Sequence, residues 1–238
     1  MPRDGVGVRA SGLRKTFDDG LVQALVDVDL EIAPGERLAI MGPTGSGKST
    51  LLALLAMLDS PDAGEIELDG ESVSRIRCPE EWRAVHLGIV FQFHHLLAHL
   101  TAVENVMLPL IGSGGRTRDI HRKAQNLLDS LGLGHRTLTR AAHLSGGERQ
   151  ITAVARALVN DPKLVLADEP TGSVDSATGE KILEILDEWS GRRGGTLVMV
   201  THDPTVASWS DRIVSLRDGR AYEGRVHCLT QPTAAPKF

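Results

Sequence analysis

A chain of 238 residues, 41% hydrophobic and 24% charged, is long enough for one large α/β domain or two small ones around a substantial core. Its net charge of −5 speaks against a nucleic-acid partner, which favours a basic face, and its two cysteines, Cys78 and Cys228, match no metal or redox spacing and suggest a reducing compartment. The opening Met1-Pro2-Arg3-Asp4-Gly5 lacks a signal peptide's apolar centre and no apolar run approaches the ~18 residues of a bilayer span, so any membrane role is expected through a partner.

Residues 6–32 alternate apolar and polar, with Asp18-Asp19-Gly20 as a turn, which predicts short antiparallel strands. Phe17 lies among them, where an aromatic either stacks on a nucleotide base or packs in the core. Arg37–Met41 reads as a buried strand, and it feeds Gly42-Pro43-Thr44-Gly45-Ser46-Gly47-Lys48-Ser49-Thr50. That run fits G-x-x-x-x-G-K-[ST], a loop whose glycines let successive backbone N–H groups converge on phosphate. Lys48 supplies a point charge for the β- and γ-phosphates, and the Ser49 hydroxyl is suited to Mg²⁺. Residues 51–58 are apolar all round, as a core helix is, and Asp59-Ser60-Pro61 stops them. A strand, a glycine loop and a helix N-terminus in that order predict binding of a nucleoside triphosphate. Two further strands are expected over 64–70 and 87–91, the second ending at Gln92.

From His94 to Ala142 the composition shifts. Helical spacing over 96–110 and 122–131, with Gly112-Ser113-Gly114-Gly115 between, predicts a mostly helical insertion. His94, His95 and His99 cluster here, but no carboxylate or cysteine completes a metal set beside them. Leu144-Ser145-Gly146-Gly147-Glu148-Arg149-Gln150 opens a helix to Asn160; Ser145 and Glu148 form a capping box, and an N-terminus carrying two glycines lets an anion approach closely. Four apolar residues after Lys163 lead to Asp168 and Glu169, a strand buried on both faces whose end presents an acid for Mg²⁺ and a general base for water. Residues 196–201 form another such strand, ending at His202, which is suited to a γ-phosphate and otherwise reads as an ordinary polar strand end. Residues 212–216 and 221–226 around Asp218-Gly219 predict a closing hairpin, and the tail over 230–238 is expected to be disordered.

Together these residues carry a resemblance. The loop at 42–50, Gln92, the run at 144–150, Asp168-Glu169, Asp175 and His202 follow the order and spacing of an ABC transporter ATPase subunit over nearly the whole chain. The resemblance implies an α/β fold: a P-loop core with a mostly parallel sheet over about 6–92 and 160–226, an N-terminal antiparallel β subdomain, and an inserted helical subdomain over about 93–159. It implies that Phe17 stacks on the base and that Gln92 links Mg²⁺, water and the helical lobe. Ser145, Gly146 and Gly147, with Glu148 beside them, would meet the γ-phosphate of ATP held by a second copy. Asp175 would bridge the two sites of that homodimer, and His202 would be the switch histidine. One P-loop covers only one side of a triphosphate, so a second copy's helix N-terminus would close the site and exclude water.

Within the family the chain resembles the branch of the lipoprotein-releasing LolD and macrolide-export MacB ATPases, through residues 91–97, 102–106, 158–160 and 167–172. It departs from the family at Ile151, where arginine is usual, at Ser173-Val174, where Asn-Leu is common, and at Ala141, often proline. The resemblance implies a peripheral ATPase on the cytoplasmic face of the inner membrane, with a permease of the MacB/FtsX type docked on the helical subdomain around 93–99 and 101–106. Two functions stay open: powering lipoprotein release or export of hydrophobic compounds, or driving a membrane partner without transport, as FtsE-type ATPases do. A soluble ABC ATPase of DNA repair or translation would need a coiled-coil insertion, zinc cysteines or a second cassette, none of which the sequence contains.

Overall fold

The computed structural model describes residues 4–112 and 114–224; Cys228, the end of the expected hairpin and the tail lie outside them. Alternation builds the first sheet. β1 (Val8–Phe17) buries Val8, Ala10 and Leu13, and β2 (Val22–Ile32) buries Leu25, Val28, Leu30 and Ile32, joined by the Asp18-Asp19-Gly20 turn. With 10 and 11 residues these strands are long, not short as their mixed composition suggests. Register shifts along β1 let the pairing run on past each break in the alternation.

β3 (Arg37–Met41) belongs to the second sheet, and α1 (Lys48–Leu55) follows it. β4 (Ala63–Leu68) and β5 (Glu71–Ser72) return to the first, giving the antiparallel order β2-β1-β4-β5. α2 (Pro79–His86) leads into β6 (Leu87–Val90). The helical stretch holds α3 (Ala102–Met107), α4 (Thr117–Ser130) and α5 (Gly146–Leu158). Then come β7 (Leu164–Asp168), α6 (Ser176–Arg193), β8 (Thr196–Thr201), α7 (Pro204–Ala207), β9 (Arg212–Arg217) and β10 (Arg220–Gly224). The second sheet has the order β10-β9-β3-β8-β7-β6, parallel throughout except for β10.

The apolar runs of β7 and β8 serve two cores at once. Leu164, Leu166, Val198 and Val200 join Leu38, Ile40 and α1 on one face; Val165, Ala167, Leu197 and Met199 join α5 and α6 on the other. Each fully buried aliphatic side chain contributes about 1.5–3 kcal/mol, against about 0–1 for a surface pair such as Lys123–Asp161. Packing of α5 and α6 on the sheet therefore anchors the helical layer.

Two expected helices are corrected. The helix expected over 51–58 ends at Leu55; Met57 turns left-handed with φ 54, and Leu58 is half exposed. The helix expected over 96–110 begins only at Ala102. The fully buried Asn105 accepts from the Leu97 N–H and donates to the Leu97, Leu100 and Thr101 carbonyls, so those backbone groups are bonded outside a helix. Among the described residues no helix is long and apolar enough to cross a membrane.

Candidate nucleotide site

The site forms where β3 delivers the chain to α1. Gly47 precedes the helix with φ 99, and a Cβ on it would stand 2.2 Å from the Ala24 carbonyl. A Cβ on Gly42 would stand 2.1 Å from the Leu216 carbonyl. Only glycine lets the loop lie this close to β2 and β9, with the first turn of α1 opening into the cleft.

That cleft measures about 390 Å³. Thr44, Gly45, Gly47, Lys48, Ser49 and Thr50 form one wall, Phe17 with Val22, Gln23 and Ala24 the flank, and Gln92, Asp168, Glu169 and His202 the facing side. Gly42, Pro43 and Ser46 of the same loop do not line the cleft. Lys48 Nζ donates to the Gly42 and Pro43 carbonyls, 2.9 Å each. Ser46 Oγ is buried without a hydrogen-bond partner, a cost of about 1–3 kcal/mol that an incoming acceptor or water would relieve. Phe17 is 42% exposed and borders the cleft, so it is not a core residue, and Lys15 Nζ lies 5.4 Å over its ring.

β7 places the acids. Burial holds the Asp168 carboxyl above the usual aspartate range, and the charge of Glu169 adds to this; a hydrogen bond from the Ser49 hydroxyl and the charge of Lys48 oppose it. Glu169 is 9% exposed and left-handed, with φ 44. Its N–H donates to the Val200 carbonyl, which fixes the turn out of the sheet. Its Oε2 accepts from Thr201 Oγ1 at 3.2 Å, and its Oε1 lies 2.7 Å from His202 Nδ1. A carboxylate only accepts, so Nδ1 is the donor and Nε2 is left for another partner.

Ser145, Gly146, Gly147, Glu148 and Asp175 lie outside this cleft. Both halves of the capping box form at α5: Ser145 Oγ accepts from the Glu148 N–H, and Glu148 Oε2 accepts from the Ser145 N–H at 2.8 Å. Glu148 also takes a hydrogen bond from Arg136 Nε, so its carboxylate faces its own chain. These contacts, the Ser145 N–H first, hold its pKa below the usual range. Asp175 caps α6, accepting from the Thr178 N–H and hydroxyl, and Gly147 packs on that same Thr178. The α5 N-terminus and the Asp175 turn are thus neighbours. The three histidines do not converge: His94 contacts Ser173 and His95 stacks edge-on against Phe91. Among the described residues no three His, Cys, Asp or Glu side chains are grouped to hold a metal.

Sequence reasoning did not single out Thr201, which completes the carboxylate's contacts, or Gln23 on the flank. Thr201 was findable as the polar end of an apolar strand; Gln23 carries no signal without the fold.

A glycine loop at the end of a central parallel strand, an acid pair at the end of the strand two places along the same sheet and a capped glycine helix set apart from both define an ATP-binding cassette ATPase. The chain belongs to the ABC transporter family, whose profile matches residues 25–172. It is 45% identical over 214 residues to the lipoprotein-releasing system ATP-binding protein LolD of Bacteroides fragilis, covering 89% of this chain and 98% of that protein. It is 43% identical over 222 residues to the macrolide export ATP-binding/permease protein MacB 1/2 of Paracoccus denitrificans, covering 92% of this chain but 33% of that protein. In structure it is similar to the dimeric post-hydrolysis state of the ATP-binding cassette MJ0796 bound to ADP and Pi, with TM-score 0.85 and 38% identity over 92% of this chain and 99% of that one.

Proposed function

We propose that the chain hydrolyses ATP between two copies of itself to drive a separate membrane permease, in a system for lipoprotein release. The observation that carries the chemistry is Glu169, held at 2.7 Å by His202 Nδ1 on the wall facing Lys48. The fit to a triphosphate rests on Gly42 and Gly47, which let the loop lie against β9 and β2, and on Lys48, Ser49 and Thr50 of the first turn of α1, which line the cleft. Ser49, Asp168 and Gln92 are oxygen donors of the kind Mg²⁺ takes, and the ion would neutralise charge on the β- and γ-phosphates.

The chain's own groups do the rest. Phe17 stacks on the base, and the 42–50 loop and Lys48 hold the phosphates. Gln92 orients the attacking water, and Glu169 removes its proton, a contribution of about 10²–10⁴ in rate. His202 leaves Glu169 for the γ-phosphate, which frees Oε1 for that water. Ser145, Gly146 and Gly147 close the partner copy's phosphate with the α5 N-terminus, Glu148 holds that end in shape, and Asp175 spans the two sites. Closure of the pair over ATP is the power stroke, and hydrolysis reopens it.

The lipoprotein assignment is supported by the near-complete coverage of the LolD relative. Work on a membrane permease fuelled by ATP would place the chain on the cytoplasmic face of the membrane. Glu169→Gln tests the core of the proposal: ATP affinity is retained, turnover drops by about 10²–10⁴, and an ATP-bound dimer accumulates in gel filtration. Wild-type turnover in that variant would falsify the assignment of Glu169 as base.

A further inference from the structure

Two residues past Gln92 the backbone adopts a costly shape. His94 and His95 have φ of 59 and 46, the left-handed region in which a Cβ crowds the following carbonyl oxygen. Across His94 the His95 N–H donates to the Phe93 carbonyl at 2.6 Å, a three-residue turn of the rarer, strained hand. Such a turn persists only where its surroundings impose it.

Arg156 imposes it. From the third turn of α5 its Nη2 donates to the His94 carbonyl and its Nη1 to the His95 carbonyl, each at 2.6 Å. A rigid planar fork matches two adjacent carbonyls; a lysine ammonium has no such geometry. The guanidinium is largely buried, which lowers its pKa, and among the described residues no carboxylate is bonded to it. A buried cation with only carbonyls for company is an expensive way to fill space.

The same helix holds the other side of the cleft. Gln150 Nε2 donates to the Pro170 carbonyl at 2.7 Å, directly after Glu169. His94 adds a cross-brace, its Nε2 3.4 Å from Ser173 Oγ. α5 therefore bears the glycine N-terminus at one end and grips the turn after Gln92 two turns further on.

We propose that Arg156 is a positioning residue for ATP hydrolysis: by gripping the His94 and His95 carbonyls it maintains the strained turn that presents Gln92 to the cleft. Displacement of the α5 N-terminus by a second copy is then transmitted through Arg156 to the chain's own Gln92. The inference rests on the reading of Gln92 given above.

Steady-state ATPase of the full chain with Mg²⁺ tests it. Arg156→Met lowers kcat about a hundredfold through displacement of Gln92 and leaves KM for ATP unchanged, because Phe17 and the 42–50 loop are untouched. Adding His94→Gly and His95→Gly to Arg156→Met recovers about tenfold, since glycine enters the left-handed region without penalty. A general loss of packing in α5 would show no such recovery. Should Arg156→Met fail to fold, the exposed His95 supplies the test with Arg156 in place: His95→Gly exceeds His95→Val in kcat by about tenfold, although both lose the ring on Phe91. Equal rates for that pair, or a wild-type kcat in Arg156→Met beside an impaired Gln92→Ala, overturn the grip alone. A wild-type rate in Gln92→Ala overturns the reading of Gln92 and the grip with it.

Discussion

Asp168 is where function opposes stability. Its carboxyl is raised by burial first and by Glu169 second, so the folded chain holds that proton to higher pH than the unfolded chain does. The stabilisation is full below the unfolded value and is lost as pH rises through the folded one, so at neutral pH the ionised carboxylate weighs against folding. Asp168→Asn keeps an acceptor for the Ser49 hydroxyl and removes the charge. The nucleotide-free variant is expected to melt higher than the parent at pH 7 while Mg²⁺-dependent hydrolysis collapses, and the melting gap should narrow as pH falls through the raised Asp168 value. Calorimetry across pH measures it; a lower melting temperature at pH 7 would contradict the electrostatic origin. The position of this acid was legible in the sequence, because an apolar run ending in two carboxylates has few other readings. Its elevated pKa was not, since burial raises it, and only the fold decides how deep the carboxyl lies and how far Ser49 and Lys48 across the cleft offset the rise.

At the scale of elements, local chemistry was readable and borrowed chemistry was not. The α5 capping box needs only Ser145 and Glu148 three residues apart, and both of its hydrogen bonds form. α6, the 18-residue helix, carried no comparably clean apolar stripe, and it went unread. The stretch before α3 was misread because Asn105, far enough along to look like helix interior, binds the Leu97, Leu100 and Thr101 backbone. The true start is a second capping box, in which Thr101 Oγ1 accepts from the Glu104 N–H and Glu104 accepts from the Thr101 N–H and hydroxyl. Thr101→Ala is expected to cost about 1 kcal/mol, about 2–4 °C in Tm for a domain of this size. The Thr101 backbone N–H chiefly, and then its hydroxyl, lower the Glu104 pKa, so this stability is present above the ordinary glutamate value of about 4.3 and fades as pH falls through the lowered folded one. The part of the Tm difference that comes from the hydroxyl's bond to the carboxylate should shrink in acid, and a pH-independent difference would assign the loss to the cap bond from the Glu104 N–H alone.

At the scale of the whole molecule, the fold class was legible because the alternating and continuous apolar runs differ in kind, and they sort into an antiparallel and a parallel sheet. What the helical layer touches was not, since a docking face is made of exposed residues. Phe93 is 73% and Leu97 43% exposed, yet the Leu97 backbone is pinned at both N–H and carbonyl by Asn105. An apolar side chain held out on a rigid loop is the feature a short permease helix would grip. Leu97→Glu is expected to abolish co-purification of the permease from membranes and to spare basal hydrolysis by the isolated chain. Retention of a fully coupled complex in this variant would exclude this face.

The strand order has a consequence for biosynthesis. β3, which carries the glycine loop, pairs with β8 and β9 and with no strand made near it. Gly35, just before it, is tied to Thr196, which emerges from the ribosome 161 residues later, and Thr196 also closes on Val6. At about 5–20 residues per second the loop waits on the order of ten to thirty seconds beside an unpaired apolar strand. The antiparallel sheet can assemble in that interval, because β1, β2 and β4 are all in hand. The cleft cannot. A nascent chain therefore has no nucleotide grip until β8 slots between β3 and β7, and the site then appears in one step, with its loop, its acids and its histidine together.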